Sequence, residues 1–322
     1  MRLSGENAML RSISFDICNL DHIYNTSDGF EYSLPRPLLE EYLSGIAFDN
    51  KEVYSEQESQ NLREDIEEIF KKIMSKNPIK DSSAIMTAGG PGAGKTTKLR
   101  QDLKEALGEG KKYAYICPDD VCLRKQKRTY KKEIDDSDTS ILSRQNAYNK
   151  WRPGSNAASH LILANLIREK CAFYFGTTST GPKTYKLFEL LKKQGYRIKL
   201  LHISAPDEVR WESIKERDKT FVQTTEEDVL QKGLLLPQRI LDTYLKYADE
   251  IRFYLRTQVD QGAELAATWI RNEDTNDLLG TLEIVSAPRY EKIKEIHNAV
   301  VEKLQLKDLD WETAVEKNSL IA

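Results

Sequence analysis

The chain contains few cysteines, few histidines and no long apolar stretch. Its 322 residues include four cysteines and four histidines, and the cysteines lie far apart with no C-x-x-C pair. This pattern argues against a disulfide framework or a zinc site and favours a reducing compartment. No segment approaches the roughly 20 apolar residues that span a bilayer, and the first residues lack the apolar core of a secretory signal. We therefore expect a cytoplasmic protein, acting in its own cell or delivered into the cytosol of another.

A strong excess of one charge is also missing. The 48 basic and 51 acidic side chains give a formal net charge of −3. Such a balance provides no global attraction to nucleic acid or to an anionic membrane, so we expect neither as a partner. Apolar residues make up 39% of the chain and charged residues 31%. These fractions are typical of a globular protein with a real core, arranged as one large domain or two modest ones.

Against this background, one glycine-rich segment is the most informative feature. Residues 89–97 read Gly-Gly-Pro-Gly-Ala-Gly-Lys-Thr-Thr and fit the P-loop pattern G-x-x-x-x-G-K-[ST]. Glycines let the backbone curl so that its N–H groups face phosphate oxygens. The lysine would reach the β- and γ-phosphates, and the threonine hydroxyl would ligate Mg²⁺. We expect ATP and Mg²⁺ as cofactors, held by residues Gly90, Pro91, Gly92, Ala93, Gly94, Lys95, Thr96 and Thr97.

The sequence around this loop alternates between strand-like and helix-like segments. Apolar runs predict strands at 83–88, 112–117, 171–175, 196–204, 265–271 and 281–286. Helices are predicted near 95–108, 154–170, 182–194, 206–217 and 237–257. This alternation predicts an α/β fold, a P-loop kinase-like parallel sheet flanked by helices, whose last two strands form an antiparallel edge. A chance Gly-Lys-Thr turn is the alternative to a P-loop, and the flanking strand and helix argue against it.

Outside this core, the pattern predicts helical extensions at both ends. A helix is expected over 57–74, where apolar residues recur at helical spacing, and Asn77-Pro78 ends it. We divide the chain into an N-terminal extension (1–80), a kinase domain (81–286) and a C-terminal helical segment (287–322).

Carboxylates follow the strand predicted at 112–117. Pro118-Asp119-Asp120 would place them at the carboxyl edge of the sheet, where chemistry collects in open α/β folds. Asp119 is the candidate base that takes a proton from an attacking hydroxyl. Asp120 either ligates metal or starts the next helix. Turn or N-cap chemistry is the alternative for both residues.

Arginines on the helix predicted at 206–217 are candidates for stabilising the transferred phosphoryl group. Arg210 and Arg217 lie seven residues apart, on one face. Surface ion pairs with Glu212 and Glu216 are the alternative. A second cation could come from a lid within 218–239.

Two further segments leave open questions. Six cations occupy 124–132, and a solvated, charge-balanced surface is the preferred interpretation over a flap that covers a phosphorylated substrate. The strand ending at Phe175 runs into Gly176-Thr177-Thr178-Ser179-Thr180, whose hydroxyls could bind phosphate or form an ordinary turn. Many P-loop proteins carry an acidic residue near the end of this strand. Here that place is aromatic.

The core from about 81 to 257 resembles the zeta toxin family of P-loop kinases. The resemblance rests on an ordered set of features, namely residues 90–97, Ile116-Cys117-Pro118-Asp119, Gly176-Thr177, Gly195-Tyr196 with the following strand, Ala205-Pro206, and Arg217.

That resemblance implies phosphorylation of a sugar hydroxyl, notably on UDP-N-acetylglucosamine, with ATP and Mg²⁺. It implies Asp119 as the base, Lys95 and Arg217 on the phosphates, Lys232 or Arg239 as a lid cation, and a protein antitoxin or regulator as partner. The chain departs from the family pattern in two places. Phe175 replaces an acidic residue, and Cys122 replaces an arginine, with Arg124 displaced.

The sequence therefore predicts a small-molecule kinase in which Asp119, Lys95 and Arg217 are catalytic and Thr96 and Asp120 hold the metal. A polynucleotide 5′-hydroxyl kinase is one alternative, motivated by the cationic run. A nucleotide-gated interaction protein with little turnover is the other, motivated by Phe175 and the long flanking segments.

Overall fold

The computed structural model describes residues 54–136, 140–181, 184–222, 224–272 and 280–303, together with residue 315 and residues 319–321. The chain divides into two compact units, one from residues 1–77 and 116–169 and the other from residues 78–115 and 170–322. Residues 1–53 of the N-terminal extension expected at 1–80 lie outside the described residues. No helix in the described ranges is long and apolar enough to cross a membrane.

In the described ranges the strands are β1 (Ser83–Ala88), β2 (Ala114–Ile116), β3 (Phe173–Phe175), β4 (Arg197–Ser204), β5 (Glu250–Leu255), β6 (Glu264–Arg271), β7 (Gly280–Ile284) and β8 (Ser319–Ile321). These eight strands form one mixed sheet in the order β2-β3-β1-β4-β5-β6-β7-β8. β1 pairs in parallel with β3 and β4, and β4 pairs in parallel with β5. β6 is antiparallel to both β5 and β7, as expected for the last two predicted strands, and β8 is parallel to β7. The predicted α/β P-loop kinase-like fold is confirmed.

The helices alternate with these strands along the chain. They are α1 (Glu56–Met74), α2 (Lys95–Gly108), α3 (Tyr130–Asp136), α4 (Ile141–Arg168), α5 (Thr184–Lys193), α6 (Asp207–Asp218), α7 (Glu226–Leu234), α8 (Leu236–Arg239), α9 (Leu245–Tyr247) and α10 (Ala287–Lys303). Short π-helical turns cover Pro118–Cys122 and Ile240–Tyr244.

In the second unit, the core on one face of the sheet positions the P-loop helix. Leu99 of α2 and Ala93 of the preceding loop are buried against Ile85, Leu201 and Ile203 of the central strands. β1 is buried from Ala84 onward, as expected for a strand between two parallel neighbours. This packing fixes the start of α2 at the carboxyl end of β1.

In the first unit, α1 packs on α4 through a glycine. Leu62 of α1 is fully buried, and a Cβ built on Gly154 would come within 2.7 Å of its side chain. α1 begins with a capping box between Ser55 and Glu58, which satisfies N–H groups at the helix start. Its bounds agree with the helix predicted at 57–74. α4 begins at Ile141, earlier than the predicted 154, because the helix continues through Pro153 and Gly154.

The first half of the helix predicted at 237–257 is helical as far as Tyr247, and the second half is wrong. The helical turns end at Tyr247, Ala248 adopts an extended conformation with ψ 145°, and β5 follows from Glu250. Ile251 and the consecutive residues 253–255 are buried, because β5 lies between β4 and β6 and is covered on both faces. A short, mostly apolar segment of this kind fits either a buried strand or a helix, and sheet pairing decides here.

Candidate functional site

The P-loop lies where β1 passes into α2, in the second unit. Gly92 and Gly94 have φ values of +77° and +93°, in a region that side-chain-bearing residues rarely adopt. The N–H of Ala93 donates to Gly90 O at 3.3 Å, and Lys98 N–H donates to Gly94 O at 3.1 Å as α2 begins. The predicted loop therefore has the tight curl that its glycines imply.

The side chains expected to bind phosphate and metal lie at the start of α2. Lys95 Nζ donates to Gly90 O at 2.7 Å, so the ammonium group folds back over the loop. Thr96 and Thr97 are exposed in the first helical turn. The Thr96 hydroxyl is a hard oxygen ligand, and it fits a magnesium ion that keeps phosphate oxygens and water as its other ligands. Within the described ranges, His, Cys, Asp and Glu form no group of three or more that could hold a metal.

Arg210 of α6 contacts the P-loop directly. Its Nε donates to Pro91 O at 3.0 Å, and its terminal nitrogens bind Val229 O at 3.1 Å and the Asp207 carboxylate at 2.8 Å. Burial lowers the pKa of Arg210. A Cβ on Gly90 would come within 2.7 Å of this guanidinium, so the glycine leaves room for it. Arg210 thus links the P-loop to α7.

Arg217, the arginine preferred from sequence, has different partners. Its guanidinium binds the Asp218 carboxylate, with NH2 3.1 Å from Oδ1, and also the Thr224 hydroxyl. Thr224 N–H in turn donates to Asp218 Oδ2 at 2.7 Å. Arg217 therefore ties the end of α6 to the segment before α7. Its role at phosphate stays a prediction.

The predicted lid cations lie in different surroundings. Lys232 is in α7. Arg239 is buried, forms an ion pair with Asp242, and donates from Nε to Thr180 O at 3.3 Å. Arg239 therefore anchors the loop that follows β3.

That loop, Gly176–Thr180, lies beside the P-loop. Thr87 Oγ1 accepts from Thr177 N–H at 3.0 Å and donates to Thr177 O at 2.7 Å. Gly89 N–H donates to Thr178 O at 3.3 Å, where the P-loop begins. Phe175, at the end of β3, is buried. The strand end is therefore apolar, as its sequence predicted, where many P-loop proteins carry an acidic residue, and hydroxyl groups follow it immediately.

The candidate base lies in the first unit. Asp119 is in the π-helical turn after β2, and its carboxylate forms an ion pair with Arg152 of α4. Burial lowers the pKa of Arg152 to about 10, so this group remains cationic at neutral pH. Burial, with a smaller contribution from Arg152, lowers the pKa of His160 to about 4. Asp120 is partly buried in the same turn. The base role of Asp119 and the metal role of Asp120 stay predictions.

Part of the cationic run at 124–132 is neutralised by the acidic face of α1. The guanidinium of Arg128 lies 3.1 Å from Asp65, 3.0 Å from Glu64 and 3.0 Å from Glu68. Lys127 also pairs with Glu68. These contacts favour the charge-balanced interpretation over a flap for phosphorylated substrate.

One residue at the P-loop was not predicted from the sequence. Arg256 NH1 donates to Gly92 O at 3.1 Å, although Arg256 follows β5 and lies far from the loop in the chain. The wrongly predicted helix at 237–257 concealed it. A strand assigned to 250–255 would have placed Arg256 at the carboxyl edge of the sheet, where functional residues collect.

Comparisons with known proteins agree with this architecture. The family profile described as Zeta toxin matches residues 66–239. An AvrRxo1-ORF1:AvrRxo1-ORF2 structure with sulphate ions has 17% identity and a TM-score of 0.55, with 89% of this chain and 92% of that chain covered. The native AvrRxo1 complex has 16% identity and a TM-score of 0.54, with coverages of 81% and 78%.

A third structure, of the PezAT chromosomal toxin-antitoxin system of the human pathogen Streptococcus pneumoniae, has 18% identity and a TM-score of 0.49. It covers 65% of this chain and 81% of that one. At such identities the AvrRxo1 structures establish the fold alone. No curated protein sequence gives a significant match.

Proposed function

The chain belongs to the zeta toxin family, as its motifs predicted, and we propose that it is an ATP- and Mg²⁺-dependent kinase that phosphorylates a hydroxyl group of a small molecule. The observation that carries the proposal is the P-loop at the carboxyl end of β1. Its left-handed glycines and its lysine, 2.7 Å from a loop carbonyl, form a cradle suited to a triphosphate.

Nucleotide binding would change the partner of one side chain. The Lys95 ammonium, now on Gly90 O, would turn to the β- and γ-phosphates, whose charge outweighs that of a carbonyl dipole. Thr96 would hold Mg²⁺, which neutralises charge on the phosphates when it is bound. Arg217 would add positive charge after it exchanges Asp218 or Thr224 for a phosphate oxygen.

Transfer also requires a group that accepts the proton of the attacking hydroxyl. Asp119 is the proposed base, because it follows β2 at the carboxyl edge of the strand. The ion pair with Arg152 would hold its carboxylate in one orientation. The hydroxyl oxygen would attack the γ-phosphorus as its proton passes to Asp119, and ADP would leave.

The proposed acceptor is a sugar nucleotide such as UDP-N-acetylglucosamine. The family resemblance supports this choice. Phe175, buried where the family has an acidic residue, and Cys122, buried where the family has an arginine, remove two polar groups from the pattern. An acceptor panel should therefore also contain sugars and nucleosides that lack the diphosphate.

A protein antitoxin or regulator is the proposed macromolecular partner, and a cytosol the proposed location. The AvrRxo1 structures contain ORF1 with ORF2, and PezAT is named as a toxin-antitoxin system. Family membership makes a similar pairing reasonable for this chain. Co-purification of wild-type protein with products encoded beside it would test the pairing, and recovery of the chain alone would count against it.

The central experiment follows phosphate by ³¹P NMR with ATP, Mg²⁺ and the acceptor panel. Wild type, Lys95→Ala and Asp119→Ala are compared with Asp136→Asn, which alters an exposed acid on α3. We expect transfer by wild type and Asp136→Asn only. If Lys95→Ala and Asp119→Ala both turned over at the wild-type rate, the mechanism would be overturned.

The same experiment separates the alternatives. ATP binding without ADP formation against every acceptor would favour a nucleotide-gated interaction protein. Transfer to a 5′-hydroxyl oligonucleotide, with binding that weakens steeply with salt, would favour a polynucleotide kinase. The neutralisation of Lys127 and Arg128 by α1 argues against that second outcome.

A further inference from the structure

We propose that Arg256 is a positioning residue that holds the P-loop in its phosphate-binding conformation through a hydrogen bond to the carbonyl of Gly92. The inference deepens the proposed nucleotide-binding function and rests on it. Arg256 lies outside residues 66–239, the part of the chain that matches the family profile.

The backbone places Arg256 at the carboxyl edge of the sheet. It follows Leu255, the last residue of β5, and its N–H donates to Ser204 O at 2.9 Å, at the end of β4. The side chain is only 9% exposed. A buried arginine at this edge points to a specific set of acceptors, because an unsatisfied guanidinium would be costly.

Those acceptors come from three segments of the second unit. NH1 donates to Gly92 O of the P-loop at 3.1 Å and to the Ser213 hydroxyl of α6 at 2.9 Å. Nε donates to Gln261 O at 3.1 Å, and NH2 donates to Val259 O. All four acceptors are neutral oxygens, and the Asp260 carboxylate adds a favourable charge interaction, so the guanidinium is a cation held against an anion-binding loop. A planar fork with fixed donors suits this task better than a flexible ammonium group.

The stem of Arg256 fits the loop as well. A Cβ added to Gly94 would lie 3.0 Å from Arg256 Cδ, so the glycine at the start of α2 rests on this side chain. The same glycine has a φ of +93°. Loop conformation and arginine stem are therefore complementary in shape.

Holding a carbonyl also orients an amide. In a trans peptide, the C=O and the following N–H point in opposite directions. Arg256 binds the carbonyl of Gly92 and so fixes the N–H of Ala93, which closes the loop on Gly90 O at 3.3 Å, while Arg210 does the same for Pro91 O and the N–H of Gly92. The two arginines thus fix the orientation of two successive peptide groups in the P-loop.

Calorimetric titration of the full chain with ATP and with inorganic tripolyphosphate tests this role. Tripolyphosphate reports on the loop alone, without base or acceptor. We expect Arg256→Gln to raise the dissociation constants of both ligands at least tenfold. This change corresponds to about one lost charge-assisted hydrogen bond. Arg256→Lys, which keeps the charge without the fork, should lie between Arg256→Gln and wild type. The matched control is Arg252→Gln, four residues earlier on β5, where the side chain pairs with Glu250.

Thermal unfolding of each variant separates positioning from stability. A purely structural role would lower the melting temperature yet leave the affinity of the folded protein unchanged for both ligands, and this result would overturn the proposal. If Arg256→Gln does not fold, Arg256→Lys and Ser213→Ala decide, and wild-type affinity in both would also overturn it. Wild type that binds ligand without transferring phosphate would refute the kinase but not the positioning role. Wild type that binds neither ligand would refute both.

Discussion

The guanidinium of Arg152 forms an ion pair with the carboxylate of Asp119. A side chain of the long helix α4 therefore holds the candidate base. The local sequence does not predict this ion pair, because 33 positions separate the two residues.

Breaking this pair should reduce turnover. We expect Arg152→Gln to lower kcat roughly tenfold to a hundredfold with little effect on the KM for ATP, because a general base contributes about 10²–10⁴-fold and loses part of that effect when it is poorly oriented. Steady-state kinetics of Arg152→Gln, Asp119→Asn and the double variant provide the check. The double variant should be no slower than Asp119→Asn alone. Losses that multiply would mean that the two residues act independently.

The P-loop glycines offer a second test. Gly92→Ala would place a Cβ 2.3 Å from Arg210 O at a φ of +77°. We expect a loss of about 1–2 kcal/mol in the free energy of unfolding from the backbone conformation alone, together with lost ATP binding. Urea unfolding and calorimetry measure these two quantities.

Gly108→Ala is the matched control. A Cβ there would meet no atom within 4 Å, at the last residue of α2. Removal of a helical glycine should raise stability by up to about 1 kcal/mol without a change in ATP affinity. Equal effects of the two substitutions would contradict the assigned loop geometry.

A third prediction concerns Asp65, which organises the first unit. Its carboxylate is 1% exposed and accepts hydrogen bonds from the N–H groups of Arg128 and Thr129 and from the Thr129 hydroxyl. We expect Asp65→Ala to cost about 3–5 kcal/mol in unfolding free energy, because buried donors lose their partner. Urea titration should show a small effect for Glu67→Ala, whose ion pair with Lys71 spans 4.0 Å. A small effect at Asp65 would contradict its central place.

Buried histidines make stability depend on pH. Burial lowers the pKa of His202 from 6.5 to about 4, and it lowers the pKa of His297 well below 6.5. The unfolded chain therefore binds more protons than the folded chain below pH 6.5. The stability contribution is full above that pH and is lost as the pH falls towards 4.

At about pH 5, His202 alone should cost about 2 kcal/mol relative to neutral pH. Urea unfolding at several pH values measures this slope, and His202→Phe should reduce it, while His160 and His297 account for the dependence that remains. A slope that stays the same in His202→Phe would exclude this histidine as its source.

The sequence predicted the elements whose signals are local. The strand at 83–88 and the helix at 95–108 have the predicted bounds, because an apolar run, a glycine-rich turn and a helical pattern follow one another there. The predicted helix at 57–74 begins at residue 56 in the structure. The P-loop and its lysine were found in the same way, since their chemistry depends on consecutive residues.

What escaped prediction depends on distant contacts. β5 resembles a continuation of the preceding helix, and only its pairing with β4 and β6 makes it a strand. Arg256 gains its place from that strand. Arg210 and Arg217 lie on one face of the predicted helix, so the sequence does not distinguish them. The folded structure does, because Arg210 binds Pro91 O and Arg217 binds Asp218.

The contact between Arg256 and Gly92 joins residues 164 positions apart. When the ribosome has just completed the glycine-rich segment, half of the protein must still be made before the hydrogen bond between Arg256 and Gly92 can form. The loop therefore reaches its final form late in synthesis, after β5 has entered the sheet. Prematurely terminated chains that end before residue 256 should lack this contact, and we expect them to bind ATP more weakly than chains that contain it.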